Sequence, residues 1–544
     1  MDSVSIFMDV DPPIPSGVSK LDARLLACIL LLASANDEFC RNDAPTIRSK
    51  TARFTSQVNR RWREVALRQQ ELWLGPVLAL SWCSASHWLD LVLKRSYPLP
   101  VDTIVPPEAS SDSVTLTFKH LPRIRTLKLT ARAHIEWLAT ESSHHYKPLI
   151  LESLTISVPG VAPHTGRRSL RVCDPNPVFS GYAPMLHQLE VHNFPLNLAP
   201  KLFHGLRVLV FDIMHRSSVV QLLDNLRNMD QLEELHISQP SEIDTPPSSF
   251  PMHPPTDDPL FLQGLQALFI SAPVSVCANV FRNITIRASC SITLRCRNVC
   301  NGRDLRDILS RLKCTISNWR CAELTGRQSL DIGGTYARFT LQGPAGGGQL
   351  CPSIDFEVSS PSLEKILDVF IQIAPGFQRC QTPPETLALY SAIDTPSEPR
   401  LMQVLHGWLS GLEYMQAVEL HGHAAFGLYF PLLGSSETRS KYLSIRTSNV
   451  DDILLPDLGD LIMVSVNFTT QKRLFWRRLL KTLRFRDKLG QPILLMDFVN
   501  CVGDFDQNIT GRTGVVVKVN GVDLNSDSED DGEDSDYTAQ GDSD

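Results

Sequence analysis

Two histidine pairs, His144-His145 and His421-x-His423, come closest in this chain to a metal-binding or acid–base pattern. A zinc helix needs histidines four residues apart with a glutamate beside the first, and neither pair has that arrangement. The nearest thiol cluster is Cys290, Cys296, Cys300, Cys314 and Cys321. Zinc sites of this kind use tight C-x-x-C pairs, and none occurs. Gly343-x-x-Gly346-Gly347-Gly348 lacks the Lys-Ser/Thr of a phosphate-cradling loop, and no Gly-x-Ser-x-Gly elbow is present. These types and spacings predict no enzyme centre, no metal and no cofactor. The densest charge run is cationic: Lys472, Arg473, Arg477, Arg478, Lys481, Arg484, Arg486 and Lys488. Such a run could hold a phosphorylated peptide or a nucleic acid. Leu474, Leu479, Leu480 and Leu483 supply an inner face at helical spacing, so the cations read as the solvated outer face of a helix.

The elements that would carry these residues follow from composition. Of 544 residues, 43% are hydrophobic and 20% charged. That is ordinary for a soluble chain with a sizeable core, arranged as two to four domains or one long solenoid. The formal net charge of −7 is unevenly placed. The stretch from Asp523 to Asp544 carries ten acidic and no basic residues, leaving 52 Lys+Arg against 49 Asp+Glu elsewhere. A nearly neutral body argues against a nucleic-acid-binding protein. Thirteen cysteines form no regular framework and read as reduced thiols of a cytoplasmic or nuclear protein. Leu25 to Ala35 is apolar and ends in Ala33-Ser34-Ala35, resembling a signal peptide. The long acidic segment before it, with Asp2, Asp9, Asp11 and Asp22, favours an amphipathic helix instead. The run is too short to span a bilayer, and no membrane association is expected.

One motif recurs, apolar-x-x-Leu-x-apolar. It occurs as Ile124 to Leu129, Leu151 to Ile156, Leu186 to Val191, Leu206 to Phe211, Leu232 to Ile237 and Leu265 to Ile270. Its central leucines are separated by 27, 35, 20, 26 and 33 residues. A leucine-rich repeat has this core and a period of about 20 to 29 residues, so the spacing predicts degenerate repeats with insertions. Each x-Leu-x-apolar segment would be a short strand facing the core, with helices such as Val219 to Asn228 and Leu401 to Gly411 covering it. Residues 277 to 360 show weaker signals, with strands at Ile292 to Leu294 and Phe339 to Leu341. The motif returns at Met415 to Leu420, Tyr442 to Ile445 and Ile493 to Met496. Residues 240 to 260, rich in proline, read as a long disordered loop.

Ahead of the repeats, Val58, Trp62 and Val65 lie at i, i+4 and i+7, predicting one helix face. Leu25, Leu26, Ile29 and Leu30 predict a second, and Leu72-Trp73 follows. Helices this short cannot bury a core well alone, so part of their apolar surface is expected to meet a partner. Leu21-Asp22 opening a Leu/Ile-rich helix, then Val58-Asn-Arg-Arg-Trp62-Arg-Glu-Val65-Ala66, then Leu72-Trp73, resembles the F-box of the fungal F-box proteins. The likeness covers about 60 residues. It departs from the family at Lys20-Leu21-Asp22-Ala23, where Leu-Pro-x-Glu is usual, and in a polar insert from Asn36 to Arg48. The resemblance implies docking on a SKP-type adaptor, and through it on a cullin, by Leu21, Leu25, Leu26, Ile29, Val58, Trp62 and Trp73. It implies a non-enzymatic substrate receptor of an SCF-type ubiquitin ligase, or an F-box interaction protein acting outside ubiquitination. In either case an unidentified protein would be held by the repeats.

The expected fold class is therefore α/β. A disordered segment at 1–16 precedes an all-helical F-box at 17–78. An irregular leucine-rich-repeat-like solenoid at 79–520 and a disordered acidic tail at 521–544 follow. With ten acids and few apolar residues, that tail contributes nothing to a core. Its removal from Leu524 onward should leave the thermal unfolding midpoint nearly unchanged; a drop of several degrees would contradict this.

Overall fold

The computed structural model describes residues 21–35, 52–74, 86–131, 133–135, 147–158, 179, 182–194, 204–213, 216–239, 259–287, 289–298, 302–317, 327–333, 335–342, 353–360, 364, 366, 368, 371, 386–391, 399–412, 414–422, 424–427, 433, 454–469, 472–503 and 514–523. The segment 1–16, residues 240–258 of the proline-rich loop, the glycine run at 343–348, the strand expected at Tyr442 to Ile445 and the acidic stretch from Leu524 lie outside them. The architecture is mixed α/β with a large, mostly parallel sheet. Among the described residues no helix is long and apolar enough to cross a membrane. Two compact units, Met1–Leu232 and Glu233–Asp544, divide the chain.

In the first unit, α1 (Ala23–Ala35) contacts α2 (Arg60–Arg68) and the 3-10 turn Gln70–Trp73, which in turn meets α3 (Ser86–Arg95). Five parallel strands follow in sequence order: β1 (Val101–Val105), β2 (Ile124–Leu129), β3 (Ser153–Ser157), β4 (Gln188–His192) and β5 (Val208–Asp212). Helix α4 (Ser111–Lys119) joins β1 to β2 and packs on α3, and α5 (Arg216–Leu226) follows β5. The central leucines of the motif form one row, Leu127, Leu154, Leu189 and Leu209. Leu129, Ile156, Val191 and Phe211 form the next. All eight are buried, and the polar residues between them point the other way, as the two-residue period of a strand requires.

The second unit carries β6 (Glu234–Ser238), β7 (Leu260–Phe261), β8 (Ala267–Pro273), α6 (Val274–Asn283), β9 (Ile284–Thr285), β10 (Ser291–Arg297) and α7 (Gly302–Ser317). Next come β11 (Arg327–Ile332), β12 (Tyr336–Gln342), β13 (Ser353–Ser359), β14 (Thr386–Ser391) and α8 (Pro399–Leu409). The unit ends with β15 (Ala417–His421), β16 (Asp460–Val464), α9 (Lys472–Lys488), β17 (Leu495–Val499), β18 (Val516–Val519) and β19 (Val522–Asp523). Its spatial order is β6-β8-β10-β13-β12-β11-β14-β15-β16-β17-β18-β19. β7 and β9 form a separate parallel pair.

Strands β11 to β13 depart from the repeat. They form an antiparallel meander inserted in a parallel sheet, with β13 returning to β10 and β11 receiving β14. This accounts for the weak repeat signal there. A hairpin strand needs only period-two alternation, not the longer motif that leads a repeat chain into its next strand. The strand expected at Ile493 to Met496 runs instead from Leu495 to Val499.

Two devices recur from rung to rung. The carbonyls of Glu152, His187, Glu233, Gln416 and Gly459 each accept two consecutive N–H groups from the next rung. The residue directly after a strand often has positive φ, as at Asn193, Asn298, Gly422, Ser465 and Asn500, with φ of 53°, 55°, 56°, 54° and 52°. Asparagine and glycine tolerate that conformation best.

One core row contains a polar residue. Leu235, Leu268, Ile292, Ile354, Leu341, Gln328, Leu387, Val418, Leu461, Met496 and Val517 are successive neighbours across the second unit. Gln328 is 1% exposed, and among the described residues neither its Oε1 nor its Nε2 has a hydrogen-bond partner. An unmet buried amide costs about 1–3 kcal/mol. Gln328→Leu, nearly equal in volume, should therefore raise unfolding free energy by about 1–2 kcal/mol. A urea titration showing lower stability would refute this.

Candidate functional site

Two surfaces stand out, one on the N-terminal helices and one on the open face of the second sheet. In α1 the expected single apolar stripe is divided. Leu26 and Leu30 point inward and are buried. Leu25, Ile29 and Leu32, at i, i+4 and i+7, are 50%, 40% and 62% exposed. The outward stripe runs about 10 Å at 1.5 Å per residue. The helix starts at Ala23, and the Leu26 N–H donates to the Asp22 carbonyl at 2.9 Å. Leu21 is half-buried, and its carbonyl accepts from the Arg61 guanidinium.

The face predicted from Val58, Trp62 and Val65 is not a continuous helix face. Asn59 caps α2, its side chain accepting the Trp62 N–H at 2.9 Å. An N-cap residue has extended backbone, and Asn59 has φ −157° and ψ 177°. Val58 therefore precedes the helix and is 57% exposed. Trp62 and Val65 are half-buried. Trp73 is buried; its Nε1 donates to the Ala66 carbonyl at 2.8 Å and the Arg95 guanidinium lies 4.4 Å from its ring centroid. Of the seven residues expected to dock a partner, Leu26 and Trp73 are thus committed to the interior. Leu25, Ile29 and Val58 remain outward, and Leu21 and Trp62 are intermediate.

The second surface was not legible as a site in the sequence. Strands β8, β10, β13, β12, β11, β14 and β15 turn alternate residues away from the core, where they pair across strands. The Arg338 guanidinium forks onto Asp355 at 2.7 and 2.6 Å, and that carboxylate holds its pKa up. Arg295 lies 3.8 Å from Glu357 and over the Phe269 ring, which stacks on His236. The Tyr336 hydroxyl donates to Asp331 at 3.0 Å; burial, then that bond, raises its pKa. Tyr390 stacks on His421 at 3.9 Å between ring centroids, and His421 lies 3.2 Å from Glu419. Seven strands at about 4.8 Å span roughly 29 Å. The result is a band of paired charges and stacked rings along one face of the sheet.

His421 was singled out in the His421-x-His423 pair, but His423 lies outside the described residues, as do His144 and His145. Among the described residues no three His, Cys, Asp or Glu side chains are placed to share a metal ion. Burial pushes the Cys290 thiol up to about 12. Cys296 is also raised, by hydrogen bonding to Cys277 and by burial, which keeps both thiols protonated. The basic run forms α9 as expected, but its inner face is Phe475, Trp476, Leu479, Leu483 and Arg486. Arg486 donates to the carbonyls of Leu454 and Leu455 at 3.0 and 2.8 Å, and burial lowers its pKa to about 10. Searches with the chain found no matching protein-family model and no matching curated protein.

On the corresponding face of the first unit, His192 Nδ1 lies 3.4 Å from the buried carboxylate of Asp212. Hydrogen bonding to Asp212 raises its pKa above the ordinary 6.5, against an opposing effect of burial. A group with a raised folded-state pKa contributes stability that is full below its unfolded value and lost as pH rises through the folded value. His192→Gln should therefore cost stability at about pH 5 and little at about pH 8.5. Urea titrations at both pH values test this; an equal cost at each would contradict it.

Proposed function

We propose that this chain is a non-enzymatic receptor of the F-box type, in which the N-terminal helices dock on a SKP-type adaptor and a leucine-rich-repeat-like solenoid holds a protein substrate. The observation that carries the reading is α1, a helix apolar on two sides. Leu26 and Leu30 serve the small helical cluster, and Leu25, Ile29 and Leu32 face outward. A surface helix that packs only against its own chain normally presents polar residues outward. A second apolar stripe suits a partner helix or groove. The parallel strands with rows of in-register leucines support the repeat half. The band of charge pairs and rings from β8 to β15 is the surface offered to a substrate, where Tyr390 and Arg338 are the best anchors. Aromatic and arginine side chains concentrate interface energy.

This reading replaces part of the docking set. Charge at Leu26 would disrupt the cluster itself, whereas charge at Leu25 or Ile29 would remove only the outward stripe. In a direct binding assay with purified full-length chain, a SKP-type adaptor should bind the wild type. Ile29→Asp should weaken that binding by about 100-fold or more, consistent with loss of an interface anchor, with no change in melting. Leu26→Asp should lower the melting temperature. No adaptor binding by folded wild type sinks the proposal, and cullin recruitment through the adaptor separates a ligase receptor from an F-box protein working outside ubiquitination.

A further inference from the structure

Helix α9 presents a cationic stripe that the receptor reading does not use. Arg477, Lys481, Arg484 and Lys488 lie at i, i+4, i+7 and i+11, and all four are exposed. They form one line about 16 Å long. Arg478 is half-buried beside them. The only acidic residue of the helix is Asp487. Among the described residues, Arg477, Arg484 and Lys488 have no carboxylate partner. Like charges one helical turn apart repel, which costs a few tenths of a kcal/mol per pair, so the stripe favours a polyanion.

The same unit carries one. Residues 524–544 contain nine acidic and no basic residues, seven of the acids between Asp527 and Asp536. Asp523, the last described residue, lies two strands from β17, on which α9 packs. The helix packs on β17 through Trp476 and Phe498, whose ring centroids are 5.8 Å apart. Strand β18 pairs with β17, and β19 pairs with β18 and ends at Asp523. Two strand spacings are about 10 Å. The four residues from Leu524 to Asp527 reach about 13 Å when extended. The stripe lies on the side of α9 away from β17, about one helix diameter of 10–12 Å further, and the 13 residues from Leu524 to Asp536 reach about 43 Å when extended, enough to run along it without rearrangement of the sheet.

We propose that the acidic segment 527–536 lies along the Arg477–Lys488 stripe of α9 within the same chain, as an intramolecular polyanion that covers it. An anionic peptide could reach that face only by displacing the segment. The contact is made between exposed charges, so it adds little to folding stability and is screened by salt.

Zero-length carbodiimide crosslinking of the full-length chain, read by mass spectrometry, tests this directly, because it joins lysine amines only to carboxylates they touch. At low ionic strength, Lys481 and Lys488 should link to acids between 527 and 536. The yield should fall about tenfold in 1 M salt, where the Debye length is about 3 Å. It should fall likewise at Lys488 in the exposed variant Arg477→Glu/Lys481→Glu/Arg484→Glu, whose melting should match the wild type. An equal mixture of isotope-labelled and unlabelled protein assigns the partner. Links confined to one isotope support the proposal; mixed-isotope links would mean that a second copy occupies the stripe, and would overturn it. Absence of links from Lys481 and Lys488, or a yield unmoved by salt or by charge reversal, would also overturn it.

Discussion

The whole fold depends on the in-register stacking of short parallel strands. Each strand must offer its neighbour two buried rows at the same height, and a one-residue slip would turn both rows into solvent. Leu127, Leu154, Leu189 and Leu209 meet this condition in the first unit, and Leu235 through Val517 meet it in the second. Carbonyls such as Glu152 and Gly459, each taking two N–H groups from the next rung, pin the height at which every strand begins. Because register is held within the rungs, the loops between them are free to vary in length, and loop closure costs grow only slowly with that length. This explains how spacings between 20 and 35 residues coexist with one regular ladder.

Two buried arginines are held by backbone carbonyls, whereas the buried carboxylates of Asp212 and Asp304 face His192 and Arg282. Arg123 is buried and donates to the carbonyls of Leu93, Ser96 and Leu99 at 2.6–3.0 Å, gathering the groups left open where α3 ends. Arg486 plays the same part for the turn at 454–458 that precedes β16. In both, burial depresses the pKa, yet the guanidinium stays charged because its ordinary pKa is so high. Gln328 is the contrasting case, a buried amide with no such partner among the described residues. It sits on β11, at the junction where the meander rejoins the parallel strands, so an unsatisfied core amide coincides with a break in topology.

The two outward surfaces differ in kind. The α1 stripe is purely apolar and narrow, so its energy would come from desolvation. The band from β8 to β15 is polar, and its charge pairs are partly exposed, so each contributes little stability. Their organisation instead holds rings and guanidinium groups flat and ready, which lowers the cost of ordering them when something binds.

The buried rows of the parallel strands were written plainly in the sequence. The motif apolar-x-x-Leu-x-apolar demands burial of three side chains within six residues, and only a short strand with its lead-in satisfies that spacing, so the rungs from Ile124 to Ile270 could be read directly. The cationic run of α9 was legible as a helix from its local period, but the burial of Arg486 on its inner face was not. Tertiary structure alone decided three further things. Asn59 starts the helix after Val58, because a side chain that caps takes its own residue out of the helix. The leucines of α1 were divided between interior and surface, because period gives adjacent stripes and only a packed neighbour chooses between them. The open-face pairs, Arg338 with Asp355 and Tyr390 with His421, join residues 17 and 31 apart. Their partnership depends on which strands become neighbours, and no local pattern encodes a meander folded back into a parallel sheet.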